Sequence, residues 1–93
     1  MDVRFVWSEA KRYSNWVKHG LDFEVVERVF KGRTFTFEDM RFCYGERRYL
    51  TFGLFHETPV CIVHTENAEE IRVISFRKAT RCEAKLYFEE TRY

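Results

Sequence analysis

Residues 23–39 read FEVVERVFKGRTFTFED, and the spacing of the apolar residues changes in the middle of the stretch. Before Lys31-Gly32, the residues Phe23, Val26 and Phe30, joined by Val25 and Val29, form a broad apolar face at helical spacing. After it, Phe35 and Phe37 alternate with Thr34 and Thr36, the two-residue period of a strand. The chain therefore switches at Gly32 from helical to strand spacing.

Upstream, VRFVW (residues 3–7) alternates Val3, Phe5 and Trp7 and predicts a first strand. Ser8 suits a helix N-cap. In EAKRYSNWVKH, the residues Ala10, Tyr13, Trp16 and Val17 recur at helical spacing, so one side is apolar. Lys11, Ser14, Asn15 and Lys18 lie largely on the other. Gly20 suits the left-handed position that ends a helix, with His19 in the last turn. Asp22 then suits the cap of a second helix.

Downstream, RRYLTFGLFH predicts a long strand, ETP a tight connection opened by Pro59, and VCIVHTE its partner. IRVISF is apolar on both faces near its middle, as a central strand is. From Arg77 or Lys78, KATRCEAKLYFEE predicts a helix with Ala79, Cys82 and Leu86 on one stripe and Thr80, Glu83 and Tyr87 on another. The order β, α, α, four strands, α predicts one α+β domain over residues 1–93. Its mainly antiparallel sheet of four or five strands is a meander covered on one face by the helices.

At 93 residues the chain can bury one core, and ten Phe, five Tyr and two Trp must supply most of it. The formal net charge of +1 conceals clusters of Arg in GERRY and IRVISFRKATR. A near-neutral total is compatible with a basic groove or with a mixed, solvated surface. Cys43, Cys61 and Cys82 are widely spaced without a C-x-x-C, which argues against a disulfide framework or a zinc site. Cys61 and Cys82 read as small core residues. Asp2 and Arg4 interrupt the N-terminus before an apolar leader forms, and no stretch approaches membrane-spanning length. A cytoplasmic protein without cofactor or metal, and without a membrane role, is expected. Phosphate-loop, H-E-x-x-H and G-x-S-x-G motifs are absent.

The segments VWSEAKRYSNWVKHGLDFEVVERVF, YGERRYLTFG and IRVISFRKATRCEAKLY resemble the BrnT family of bacterial toxins. The likeness rests on Trp7, Lys11, Asn15, Lys18-His19-Gly20, Phe23, Val29-Phe30, Glu46 with Arg48, and Arg72 to Thr80 with Glu83 and Tyr87. It covers nearly the whole chain. Ser8 stands where the family usually has an acid, and Phe76 where it usually has a small residue, beside the expected active surface. The resemblance implies a RelE-like fold and an endoribonuclease toxin of a type II toxin–antitoxin system that inhibits translation. It also implies a cognate BrnA-type antitoxin as partner, RNA as substrate, and operator DNA met only through the antitoxin complex. A non-catalytic RNA- or partner-binding module that acts as a corepressor is the alternative.

Metal-independent RNA cleavage needs a group to deprotonate the 2′-hydroxyl, charge stabilisation at phosphorus and a proton for the departing 5′-oxygen. Arg48, Arg72 and Arg77 suit the second task, because a guanidinium binds phosphate oxygens through two bonds and stays charged. All three are expected on strands or at a strand end. Arg72 and Arg77 differ by an odd number, so in a continuous strand they face opposite sides unless it ends or bulges between them. Arg77 is also expected just before a helix N-terminus. The same arginines read equally as surface ion pairs. His19 is the candidate proton-transfer group. A helix C-terminus should raise its pKa, and the neighbouring Lys18 acts the other way. The plainer reading is that His19 caps carbonyls and Lys18 is solvated. Glu46 reads as a base or as a partner that orients Arg48. Phe35, Phe37, Tyr49 and Phe52 read as core or as base-stacking rings.

Overall fold

The computed structural model describes residues 3–41 and 43–92, so Asp2 lies outside the described residues. The chain runs β1 (Arg4–Val6), α1 (Glu9–His19), a 3-10 turn (Phe23–Val25) leading into α2 (Val26–Lys31), then β2 (Phe35–Glu38), β3 (Tyr49–Phe55), β4 (Thr58–Glu66), β5 (Glu70–Lys78) and α3 (Arg81–Thr91). The change of period at Gly32 is where helix gives way to strand. The five strands form one sheet in the order β1-β5-β4-β3-β2. β2 to β5 pair antiparallel in sequence, and β1 lies parallel to β5. The fold is α+β, as the sequence predicts.

The sheet is covered on two faces, not the one expected. On the first, Phe23, Val26 and Val29 pack on Val60, Ile62, Val73 and Phe76. A Cβ on Gly53 would come within 2.6 Å of the Val29 side chain, so α2 approaches β3 more closely than any other residue there allows. On the second face, Tyr87 and Leu86 of α3 pack with Leu50, Phe52 and Cys61. The physical reason is written in β4, where Val60 to Val63 are apolar without interruption; such a run is buried on both sides. Phe76 belongs to the first core and is wholly buried, so it does not crowd the opposite surface as its position in sequence suggests.

α1 is turned the other way from its apolar stripe. Asn15 is its buried residue, whereas Tyr13, Trp16 and Val17 are 71%, 53% and 66% exposed. The cause lies at the edge of β5. β1 has three residues and pairs only with Glu70, Ile71 and Arg72. Farther along, the Asn15 side chain takes the place of a strand: Nδ2 donates to the Phe76 carbonyl (2.8 Å), and Oδ1 accepts from the Phe76 N–H (3.0 Å). Nδ2 also donates to the Leu21 carbonyl (3.0 Å). Buried backbone groups left unmet are expensive, so the amide outweighs the apolar stripe.

The helix ends follow the expected residues. Ser8 accepts from Lys11 N–H at 3.3 Å. Gly20, at φ 69°, is left-handed and donates to the Trp16 carbonyl. Asp22 caps the 3-10 turn and pairs with Arg12. α3 starts at Arg81, later than Arg77 or Lys78, because Thr80 and Glu83 form a reciprocal capping box there.

Candidate active site

β5 carries one residue more than β4 can pair. Val63 pairs with Ser75 and His64 with Val73, which leaves Ile74 as a bulge. The extra residue reverses the alternation of side chains beyond it. Arg77 lies opposite Cys61 and Arg72 opposite Thr65, so both project from the face that carries α3. The odd spacing that would separate them in a regular strand is cancelled. They stand two same-face rows apart, ~13 Å along the strand, with Ser75 in the row between.

At one end, Arg77 forms a two-bond pair with Glu83 of α3, Nη1 to Oε1 at 2.7 Å and Nη2 to Oε2 at 3.0 Å. Arg77 sits inside β5, one turn of chain before the helix. Glu83 Oε1 also accepts the Thr80 N–H, so the capping box fixes the arginine's partner. The pairing holds the Glu83 carboxyl below its ordinary pKa, and the same bond raises that of Arg77. Three of the five guanidinium N–H groups are engaged, two by Glu83 and one by the Lys78 carbonyl, leaving two for an anion.

At the other end, Glu46 bridges two arginines. Arg72 Nη2 donates to it at 2.7 Å and Arg48 Nε at 3.2 Å. Arg48 lies just before β3 rather than on it, and its guanidinium covers the Tyr44 ring at 4.1 Å. The Tyr44 hydroxyl donates to Asp39 (3.0 Å), which also accepts Nε (2.8 Å) and Nη2 (3.0 Å) of Arg41. The Asp39 carboxyl is almost wholly buried, and its bonds to Arg41 hold it far below the usual carboxylate range. Asp39 and Tyr44 thus set the shape of the connection that carries Glu46 and Arg48. Neither residue stood out in the sequence, because their partners lie two and five residues away in a segment without periodicity.

Lys18 and His19 end α1 beside this face. With Lys11, Ser14 and Asn15 they border a small cleft whose other wall is Ile74 and Ser75 of β5. The His19 pKa is lowered, not raised: burial is the main cause, followed by the charges of Lys18 and Arg77. The field of a single helix end, already satisfied in part by Gly20, does not offset desolvation beside two cations. The structure thus gathers Lys18, His19 and Arg77 near one end of β5 and Glu46, Arg48 and Arg72 near the other. His56 is exposed at the β3–β4 turn. His64 is fully buried on the opposite face, bonded through Nε2 to Thr51 at 2.7 Å. Cys61 is core, but Cys82 is exposed. Of the four aromatics, Phe52 is buried, Phe35 packs into the core, Tyr49 stacks on His64, and Phe37 keeps 37% of its surface open. Among the described residues, no three His, Cys, Asp or Glu side chains gather as a metal site, and no helix is long and apolar enough to cross a membrane.

The family described as "Ribonuclease toxin, BrnT, of type II toxin-antitoxin system" matches residues 7–83. Among solved structures, that of the Brucella abortus ribonuclease toxin BrnT is similar, with 26% identity and a TM-score of 0.63 over 86% of this chain and 100% of that one. No curated protein matches the chain. Matched through its first helix, four of its five strands and the start of its last helix, the chain belongs to the BrnT family of ribonuclease toxins of type II toxin–antitoxin systems.

Proposed function

We propose that this chain is an endoribonuclease that cleaves RNA without a metal ion and thereby inhibits translation in the cytoplasm, as a single RelE-like domain. A cognate BrnA-type antitoxin neutralises it, and operator DNA is met only through that complex. The observation that carries the reading is the bulge at Ile74, which turns Arg72 and Arg77 to one face together with Arg48.

In this reading Arg77 holds the scissile phosphate, Arg48 at the other end of the arginine face holds a neighbouring phosphate of the same strand, and Arg72 and Glu46 keep Arg48 aimed. His19, neutral at pH 7 because its pKa is depressed, accepts the 2′-hydroxyl proton. The 2′-oxygen bonds to phosphorus, the bond from phosphorus to the 5′-oxygen breaks, and the Lys18 ammonium supplies that oxygen's proton. The arginines neutralise the charge that builds on the phosphoryl oxygens, a task otherwise suited to a metal. Since each arginine is ion-paired, a module that binds RNA or a partner as a corepressor is the second reading.

The two are separated by incubating purified protein with RNA in EDTA across a pH series. Cleavage is expected, with its acid limb below pH 6.5 because His19 must be unprotonated. His19→Ala should remove that limb. Binding of RNA without cleavage under any metal condition would favour the second reading.

A further inference from the structure

We propose that the groove between β2 and α3 is a base-binding subsite, which takes an unpaired nucleobase of the RNA next to the phosphate held at Arg77. The inference rests on the proposed phosphate site and adds to it what the enzyme reads.

The groove has a volume of about 560 Å³; Phe37, Leu50, Phe52 and Leu86 form its apolar lining, and the Asp39–Arg41 pair, Cys82 and Glu83 line it as well. It opens on the same face as the arginines. Phe37, Leu50, Val63 and Ser75 are successive partners across β2, β3, β4 and β5, so one row of side chains runs from the groove wall to the centre of the arginine site. Leu50 and Ser75 are two strands apart in that row, ~10 Å, roughly the span of one nucleotide. Glu83 belongs to both places: it lines the groove and holds Arg77. A phosphate on Arg77 therefore lies one side chain from the groove mouth.

Phe37 suits a planar ligand. Its ring is braced by Phe35 (centroids 5.7 Å apart) and Phe52 (5.4 Å), yet remains 37% exposed. A ring fixed on two sides and open on another is a stacking platform that loses little freedom when a base covers it. An apolar side chain of a protein partner would fill the same volume, but nothing about it would call for the neighbouring Arg77. A nucleotide joins an apolar plane to an anion over that distance.

Two variants and one titration test this. Phe37→Ala removes the platform, and Cys82→Trp fills the groove from an exposed rim position. Each is checked by its thermal melt, then given a randomised single-stranded RNA. The expected result is a kcat/KM lower by about tenfold and loss of the wild-type base preference beside the cut. In parallel, the wild-type chain is titrated with adenosine and uridine monophosphates and with ribose 5-phosphate, while the Leu50 and Leu86 methyl resonances are followed. The nucleotides should shift them and the sugar phosphate should not, whether or not the protein cleaves. Folded variants that keep wild-type kcat/KM and base preference would overturn the subsite, as would equal shifts from ribose 5-phosphate. Variants that cleave normally but escape a co-expressed antitoxin would assign the groove to the protein partner instead. Absence of cleavage by every form, with the nucleotide shifts intact, would refute the proposed nuclease but keep the subsite.

Discussion

α1 and α3 have eleven residues each; α1 buries the side that its apolar spacing does not favour, and α3 buries Leu86 of its apolar stripe together with Tyr87 from outside it. α1 buries Asn15 and leaves Tyr13, Trp16 and Val17 outside. α3 buries Tyr87, from the stripe that carries Thr80 and Glu83, and leaves Cys82 exposed. In each case a backbone group elsewhere decides the orientation. Asn15 completes the open edge of β5 at Phe76, and the Tyr87 hydroxyl donates to the Arg33 carbonyl at 2.8 Å. The difference is in what else is gained. α3 adds Leu86 and the Tyr87 ring to a core, whereas α1 contributes mainly an amide that substitutes for a strand. A helix's apolar stripe is thus a weaker guide when the sheet beside it has unpaired backbone.

The sharpest way to break this comparison is Asn15→Leu. It improves the apolar match but strands two backbone groups of Phe76 and one of Leu21, and it should destabilise by about 3–5 kcal/mol in urea melts. A neutral or stabilising effect would mean that α1 docks by its stripe after all.

The core beneath α2 holds a second polar group, His64. Burial pushes its pKa down to about 4, below the 6.5 of the unfolded chain. The unfolded state therefore binds the proton more tightly, and stability is full above pH 6.5 and lost as pH falls towards 4. The loss should approach about 3 kcal/mol at the acid end and shrink in His64→Phe, measured by urea melts at pH 7 and pH 4.5. Equal slopes in both proteins would show that His64 is not responsible.

For α3, Tyr87→Phe keeps the ring and loses one hydrogen bond, so about 1 kcal/mol is expected. Smallest of all, Trp16→Ala on the outer side of α1 should change stability by less than about 0.5 kcal/mol despite the size of the residue removed. A larger loss would place the Trp16 ring in a core.

Much of the fold was legible because it rests on local signals. The change of period at Gly32, the Ser8 cap and the left-handed Gly20 each act within a few residues. The coverage of both faces was half legible, in the uninterrupted apolar run of β4. What could not be read depends on pairing between distant residues. The length of β1 decides which part of β5 needs Asn15. The register of β4 against β5 decides whether Arg72 and Arg77 meet on one face, and no residue type in IRVISFR marks the bulge. The pairing of Glu46 with Arg48 was visible at a spacing of two, but Arg72 as their third member was not. For His19 the helix-end signal was read correctly as position and wrongly as charge, because desolvation and Arg77 come from the tertiary fold.

The account stands or falls on Arg77, which the bulge turns towards the other arginines and the Glu83 pair holds in place. The most direct measurement is the RNA cleavage rate of Arg77→Ala beside its thermal melt. Loss of one transition-state phosphate contact predicts a fall of about a hundredfold in a variant that still melts as a folded protein. A folded Arg77→Ala that cleaves at the wild-type rate would contradict the assignment.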